Sequence, residues 1–155
     1  MEYLLHIAIL IGIYVILSVS LNLIAGYTGI LSIAHAAFYG VGAYVAALMA
    51  LKLNSPFLAN LFCAILLSTL FGALVGIPSL RIKEDYLVIA TFSFQVITFS
   101  VLNNWVGFTG GPMGLPGIPQ PNILGLKISS HWQFLLLTGV FAVAVFLLAK
   151  KVVGS

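Results

Sequence analysis

Five uninterrupted apolar runs govern what this 155-residue chain can fold into. They are Tyr3–Ile24, Leu31–Leu51, Pro56–Leu80, Tyr86–Trp105 and His131–Ala149. Each approaches or exceeds the roughly 20 helical residues that cross a hydrocarbon core. Inside lipid a segment must satisfy its own backbone hydrogen bonds, so each run is predicted to be a helix. None shows the period-two alternation of a barrel strand. The expected fold is therefore all-α, a polytopic transmembrane helical bundle of about five spans.

Composition removes the soluble alternative. Hydrophobic residues make up 62% of the chain and charged residues 6%, whereas a soluble domain carries about 25% charged residues. Water could not solvate such a surface. The net charge of +3 is scattered along the chain, so it makes no nucleic-acid footprint. Cys63 is the only cysteine and lies within an apolar run. It cannot form an internal disulfide and reads as a small core residue. The first run has Glu2 as its only charged neighbour, without a basic n-region, and is too long for a cleaved signal. It reads as a retained first span.

The breaks between runs are legible. "AGYTG" (25–29) is a tight uncharged turn, and "KLNSP" (52–56) holds a proline that can start the next helix. "RIKED" (81–85) is the densest charge cluster. "VGFTGGPMGLPGIPQPN" (106–122) is too rich in Gly and Pro for regular helix. A break in the second span is expected, if anywhere, within "AGYTGILS", where Gly26 and Gly29 interrupt the apolar pattern. Five simple spans place Arg81, Lys83, Lys150 and Lys151 on one side, and Lys52 and Lys127 on the other. The bias of short loops makes the first side cytoplasmic, leaving the N-terminus and the Gly/Pro loop outside.

Small and polar residues mark which helix faces meet protein. Ser32, Ala36, Gly40, Ala43, Ala47 and Ala50 recur at spacings of three and four, which is one face of a helix. Lipid tails are as apolar as leucine, so helices associate where small residues let backbones approach. This stripe is expected to pack against a neighbouring helix. His35 flanks it, near Tyr39 and Gly42. It reads either as a neutral imidazole hydrogen-bonded to another helix or as a group on a substrate path. Tyr14, Ser18 and Asn22 form a polar row on the first run. On the fourth, Thr91, Gln95 and Thr98 share one face, and Ser93, Ser100 and Asn104 roughly the opposite one. Two polar faces should not meet lipid, so the fourth helix is expected among protein or beside an aqueous path. Interhelical hydrogen bonds and a pathway both account for these rows. Asn22, His35, Thr91, Gln95 and Thr98 are the candidate path residues.

Catalytic chemistry has no foothold. The chain contains no G-x-S-x-G, H-E-x-x-H or phosphate-loop pattern. No pair of acidic residues falls within a span, and His6, His35 and His131 are too scattered for a metal site. No cofactor is expected.

Three stretches together carry a family resemblance: "GYTGILSIAHAAFYGVGAYVAAL" (26–48), "LRIKEDYLVIATFSF" (80–94) and "LNNWVGFTGGPMGLPGIP" (102–119). In order and spacing they resemble the inner-membrane permease of branched-chain amino acid ABC importers, the LivM type. The resemblance covers nearly the whole chain. It implies a multi-pass permease that pairs with a second, LivH-like permease, is driven by two cytoplasmic ATPases, and receives leucine, isoleucine, valine or related compounds from an external binding protein. The family motif matches Gly26, Thr28, Gly29, Ser32, His35, Gly40 and Gly42 in the first stretch. It matches Arg81, Asp85, Tyr86, Thr91 and Phe94 in the second. In the third it matches Asn103, Asn104 and Leu115, together with an external-loop set of Thr109, Gly110, Gly111 and Gly114. Val96 and Phe99 stand where the family usually carries an acidic and a basic residue. The family's chain also continues into a coupling helix and further spans, so residues 1–155 are expected to be one transmembrane permease domain, incomplete at the C-terminus. Two other readings stand beside this one: a truncated scaffold that does not transport, and a membrane-embedded lipid enzyme, for which only Glu84 and Asp85 are acidic candidates.

Overall fold

Each of the five apolar runs forms a long helix. A computed structural model describes residues 2–27, 29, 32–79, 81, 84–123 and 126–154. The long helices are α1 (Glu2–Asn22), α2 (His35–Leu53), α3 (Phe57–Ser79), α4 (Glu84–Asn104) and α6 (His131–Val153), with a single turn, α5 (Val106–Thr109), between the last two. All five long helices are long and apolar enough to span a membrane. The only strands among the described residues are Asn122–Ile123 and Leu126–Lys127. The protein is an all-α, multi-pass helical bundle, as its sequence predicts. Thr28, Leu31, Leu80 and Lys83, named above, lie outside the described residues.

Two boundaries depart from the sequence reading. The second helix starts at His35, not Leu31, because the segment before it is held differently. The Ile33 N–H donates to Thr91 Oγ1 on α4 (3.3 Å), and the buried Ala34 caps the helix with its carbonyl, which accepts from the N–H groups of Ala37 and Phe38. The interruption expected in "AGYTGILS" thus falls ahead of α2, which is itself continuous. The preceding helix does not stop at Ile24 but runs on through a π turn, Leu23–Tyr27. The second departure is in the Gly/Pro segment, which begins with the helical turn α5 and a 3₁₀ turn, Gly111–Met113. Thr109 N–H and Gly110 N–H still find carbonyls one turn back, at Trp105 and Val106, before Gly110 enters the left-handed region and ends the turn.

The chain forms two compact units, Met1–Ile30 with Lys127–Ser155, and Leu31–Leu126. In the first, α1 packs along α6. A Cβ on Gly12 would lie 2.6 Å from Thr138 Cγ2, so these helices touch where one of them has no side chain. Thr138 folds its own hydroxyl back onto Phe134 O (2.9 Å), which leaves its methyl to the contact. The start of α6 is fixed by Gln133, whose Oε1 accepts from the N–H groups of Ser129 and Ser130 and satisfies donors the helix leaves open. Gly12→Leu is expected to lower the thermal midpoint of the detergent-solubilised chain, since overpacking costs about 1–3 kcal/mol or more. Gly139→Ala, with nothing within 4 Å of its added methyl, should leave the midpoint nearly unchanged. Equal midpoints for the two variants would refute this packing.

In the second unit, α2 packs closely on α3 and more lightly on α4. What is buried is small: Ala34, Ala37, Ala50 and Ala64 are the alanines of this core, with Leu87 beside them. Large apolar side chains such as Phe62, Leu74 and Phe99 face outward. In water that distribution would be an aggregation liability. In a bilayer it is the expected one, because only small residues gain by turning inward.

Candidate functional site

Helix α2 is tied to α4 at its start and to α5 at its end, with a groove between. At one end the Ile33–Thr91 bond makes the tie. Thr91 is 3% exposed, and its hydroxyl also donates back to α4, with Leu87 O at 2.9 Å and Val88 O at 3.1 Å. One turn along, the rings of Phe38 and Phe94 meet at 5.7 Å. At the far end Lys52, in the last turn of α2, sets its ammonium 4.6 Å from the centroid of the Phe108 ring on α5. That is a cation–π contact, in which the ring's negative face takes part of the charge. Phe108 in turn rests against Trp105, with ring centroids 5.1 Å apart.

Between these ties lies a half-open groove of about 430 Å³. Its α2 wall is made of Ala36, Ala37, Gly40 and Tyr44. Its α4 wall carries Gln95, Thr98 and Asn103 as polar members, with Val96, Phe99 and Leu102 as apolar ones. The volume falls within the roughly 300–1,000 Å³ of small-molecule sites. No charged side chain lines it. Gln95 Oε1 is buried and has no hydrogen-bond partner among the described residues. A buried acceptor left without a donor costs about 1–3 kcal/mol, so this atom is the most demanding polar feature of the groove.

The segment after α4 is a built cap. Thr109 is 2% exposed, and its hydroxyl lies 2.5 Å from Leu102 O and 2.9 Å from Trp105 O, which also accepts the Phe108 and Thr109 N–H groups. The same hydroxyl oxygen accepts the Gly111 N–H at 3.3 Å. Gly110 has φ +75°, and a Cβ there would sit 2.0 Å from Gly114 O. Only glycine fits both the conformation and the space.

The residues singled out from sequence fall in different places. Gln95 and Thr98 line the groove, as do Ala36 and Gly40. Thr91 lies at its end, engaged with backbone partners. His35 is the first residue of α2 and is half-buried. Asn22 belongs to the first unit, where its Oδ1 lies beside Gly26. The small stripe divides. Gly40 meets Leu102, and a Cβ there would lie 3.5 Å from Leu102 Cδ1. Ser32 and Ala47 are half-buried, whereas Ala36 and Ala43 are exposed. Of the two glycines of α2, the more tightly packed is Gly42, off the stripe, where a Cβ would lie 2.8 Å from Ser68 Oγ on α3. Thr109, Gly110, Gly111 and Gly114 form the cap. Sequence reasoning missed Tyr44 and Leu102 as groove members. Ala36, Gly40 and Tyr44 are spaced by four, as are Gln95 and Phe99, so a search extending each row past its small or polar members would have found Tyr44.

Five apolar helices long enough to cross a membrane, with a largely apolar groove between two of them, are those of a multi-pass membrane protein. The chain belongs to the branched-chain amino acid transport system permease component family, whose pattern matches residues 3–153. It is 40% identical over 123 residues to the high-affinity branched-chain amino acid transport system permease protein LivM of Escherichia coli strain K12. It matches the LivM protein of Salmonella typhimurium strain LT2 to the same extent. In both cases the match covers 79% of this chain and 29% of the relative, so the chain spans less than a third of the length of these proteins. No solved structure matches it.

Proposed function

We propose that this chain is an inner-membrane permease component of an ABC importer for branched-chain or related amino acids, and that the α2–α4 groove forms part of its translocation path. The observation that carries this reading is the coincidence of the family match over residues 3–153 with a largely apolar α2–α4 groove that holds Gln95, Thr98 and Asn103 as polar members. Residues 1–155 act as one permease domain. Its partners are a second, LivH-like permease, cytoplasmic ATPase subunits, an external amino-acid-binding protein and the lipid bilayer. It contributes no catalytic group, since a permease moves its substrate unchanged. Gln95 and Thr98 face the path, and Thr91 fixes the spacing of its walls. His35, at the start of α2, is a further polar member, and Asn22, at the end of α1, is a separate polar candidate on the first unit. Thr109, Gly110, Gly111 and Gly114 hold the external loop in shape.

The test is leucine accumulation in cells lacking their own importers. Uptake is expected when residues 1–155 replace the matching segment of a full-length relative expressed with its second permease, ATPases and binding protein, and not when residues 1–155 are expressed alone. An ion-driven route by itself has little support, because no Asp or Glu lies well inside a span to bind and release a proton. Accumulation by residues 1–155 alone, or none above the permease-free control from the full-length chimera with every partner present, would sink the proposal.

Orientation is tested separately. Cysteines introduced at Ser55, Gly107 and Gly154 in a Cys63→Ala background are to be probed with an impermeant thiol reagent on intact cells. The positive-inside bias predicts labelling at the first two positions and none at the third. Labelling of position 154 alone would reverse the topology.

A further inference from the structure

The groove carries one requirement that path membership does not explain: a buried carbonyl oxygen in need of a donor. Gln95 Oε1 has no partner among the described residues, while the side-chain oxygen of Thr91, one turn away on the same face, is fully engaged. The groove is held at both ends by the Ile33–Thr91 bond and the Lys52–Phe108 contact, so it is not a slack gap that a small shift would close. Its other polar and aromatic members are Tyr44, Thr98, Phe99 and Asn103. Amide and hydroxyl oxygens together with aromatic rings are the groups that receive an ammonium. No Lys or Arg lines the groove to repel one, and none is there to bind a carboxylate.

We propose that the α2–α4 groove is a subsite for the amine-bearing end of a small apolar substrate, with Gln95 Oε1 as the acceptor for its N–H. The oxygen is covered in the conformation seen. The terminal amide torsion is broad and roughly two-fold, so a partial rotation presents it to the groove at little cost. The carboxylate of an amino acid is read elsewhere, by groups outside this groove. Gln95 is then a specificity-determining residue: it selects for the ammonium, while the alanine and leucine lining accepts the short hydrocarbon body. This inference rests on reading the groove as part of the translocation path.

The experiment uses the full chain in phosphatidylcholine–phosphatidylglycerol nanodiscs at pH 8 and saturation-transfer NMR, which detects weak binding. Two probes each keep half of leucine's head. 3-Methylbutylamine lacks the carboxylate, and 4-methylpentanoate lacks the ammonium. The amine is expected to bind at least tenfold more tightly than the acid. Gln95→Met, which keeps the length and removes the acceptor, is expected to weaken the amine about tenfold or more. Gln95→Glu, which keeps an acceptor and adds charge, should tighten it. A residue that merely supports the fold would move both variants in the same direction, so opposite signs support the proposal even if one variant is less stable. Equal binding of the two probes, no binding of either, or amine binding unchanged in a folded Gln95→Met chain would overturn it. Failure of the two readings is distinguishable. Amine binding without leucine uptake by the assembled system removes the transport reading and leaves the subsite. Uptake with unaltered selectivity in Gln95→Met removes the subsite alone.

Discussion

Replacing Gly110 with valine should unfold the cap after α4 and lower the stability of the whole α2–α4 pair. Two costs act at that position. The backbone sits at φ +75°, where a β-branched side chain is a severe outlier. A Cβ would also fall 2.0 Å from Gly114 O, a backbone atom that cannot rotate out of the way. The cap must therefore open, which withdraws the Thr109 hydroxyl from Leu102 O and leaves that part-buried carbonyl without its side-chain donor. Strain at a special φ costs about 1–3 kcal/mol, and each unsatisfied buried group about the same again. The expected loss is about 3 kcal/mol or more, a large share of the stability of a small domain. Limited proteolysis should cut near residue 110 in the variant and not in the parent. Gly107→Ala is the control: it lies three residues away in the helical turn α5, with nothing within 4 Å of an added methyl. Similar protease resistance and thermal midpoints for Gly110→Val and Gly107→Ala would refute this account of the cap.

Gly42→Leu is expected to separate α2 from α3. A Cβ at this position would lie 2.8 Å from Ser68 Oγ, and that hydroxyl also bridges to Phe38 O on α2 at 3.4 Å. A methyl alone would displace the hydroxyl and break the bridge. A leucine adds three more carbons in the same gap, so the helices must part, and dispersion is lost along the whole contact. The cost is expected at the upper end of the range for overpacking, about 3 kcal/mol. Gly40→Ala should be far milder, since its methyl would sit 3.5 Å from the tip of Leu102, an ordinary contact with a movable side chain. The readout is thermal unfolding in detergent. A Gly40→Ala midpoint that drops as far as that of Gly42→Leu would return the tight contact to the stripe that holds Gly40.

Gly40 and Gly42 differ in a way that no spacing rule records. The recurrence of Ser32, Ala36, Gly40, Ala43 and Ala47 marks a small face on α2, and small faces do occur where helices approach. Periodicity does not say which of two adjacent faces meets which helix. Gly42, off the stripe, packs tightly against Ser68 of α3, while the stripe's Ala36 and Gly40, together with Ala37, border the groove. Thr91, Gln95 and Thr98 are likewise one row to the sequence. In the fold Thr91 is buried and bonded to the backbone, and Gln95 and Thr98 line the groove, because α2 lies close at one turn and stands off at the next.

Hydropathy and length by themselves determined the fold class, the five spans and the membrane setting. Those depend on the cost of exposing peptide groups to lipid, which is met locally, residue by residue. The Gly/Pro clusters marked the breaks between helices without fixing their ends, since helical turns continue through Gly26 and Gly107. The tertiary structure decided what depends on a second segment of chain: that the helix after the "AGYTGILS" break begins at His35, because Thr91 of another helix takes the Ile33 N–H; that Thr109 closes the end of α4; and that Gln95 is left with a buried oxygen and no donor among the described residues. Hydrogen-bond satisfaction is a property of pairs, and one member of each of these pairs lies on a different element or several residues away, where no local pattern records it.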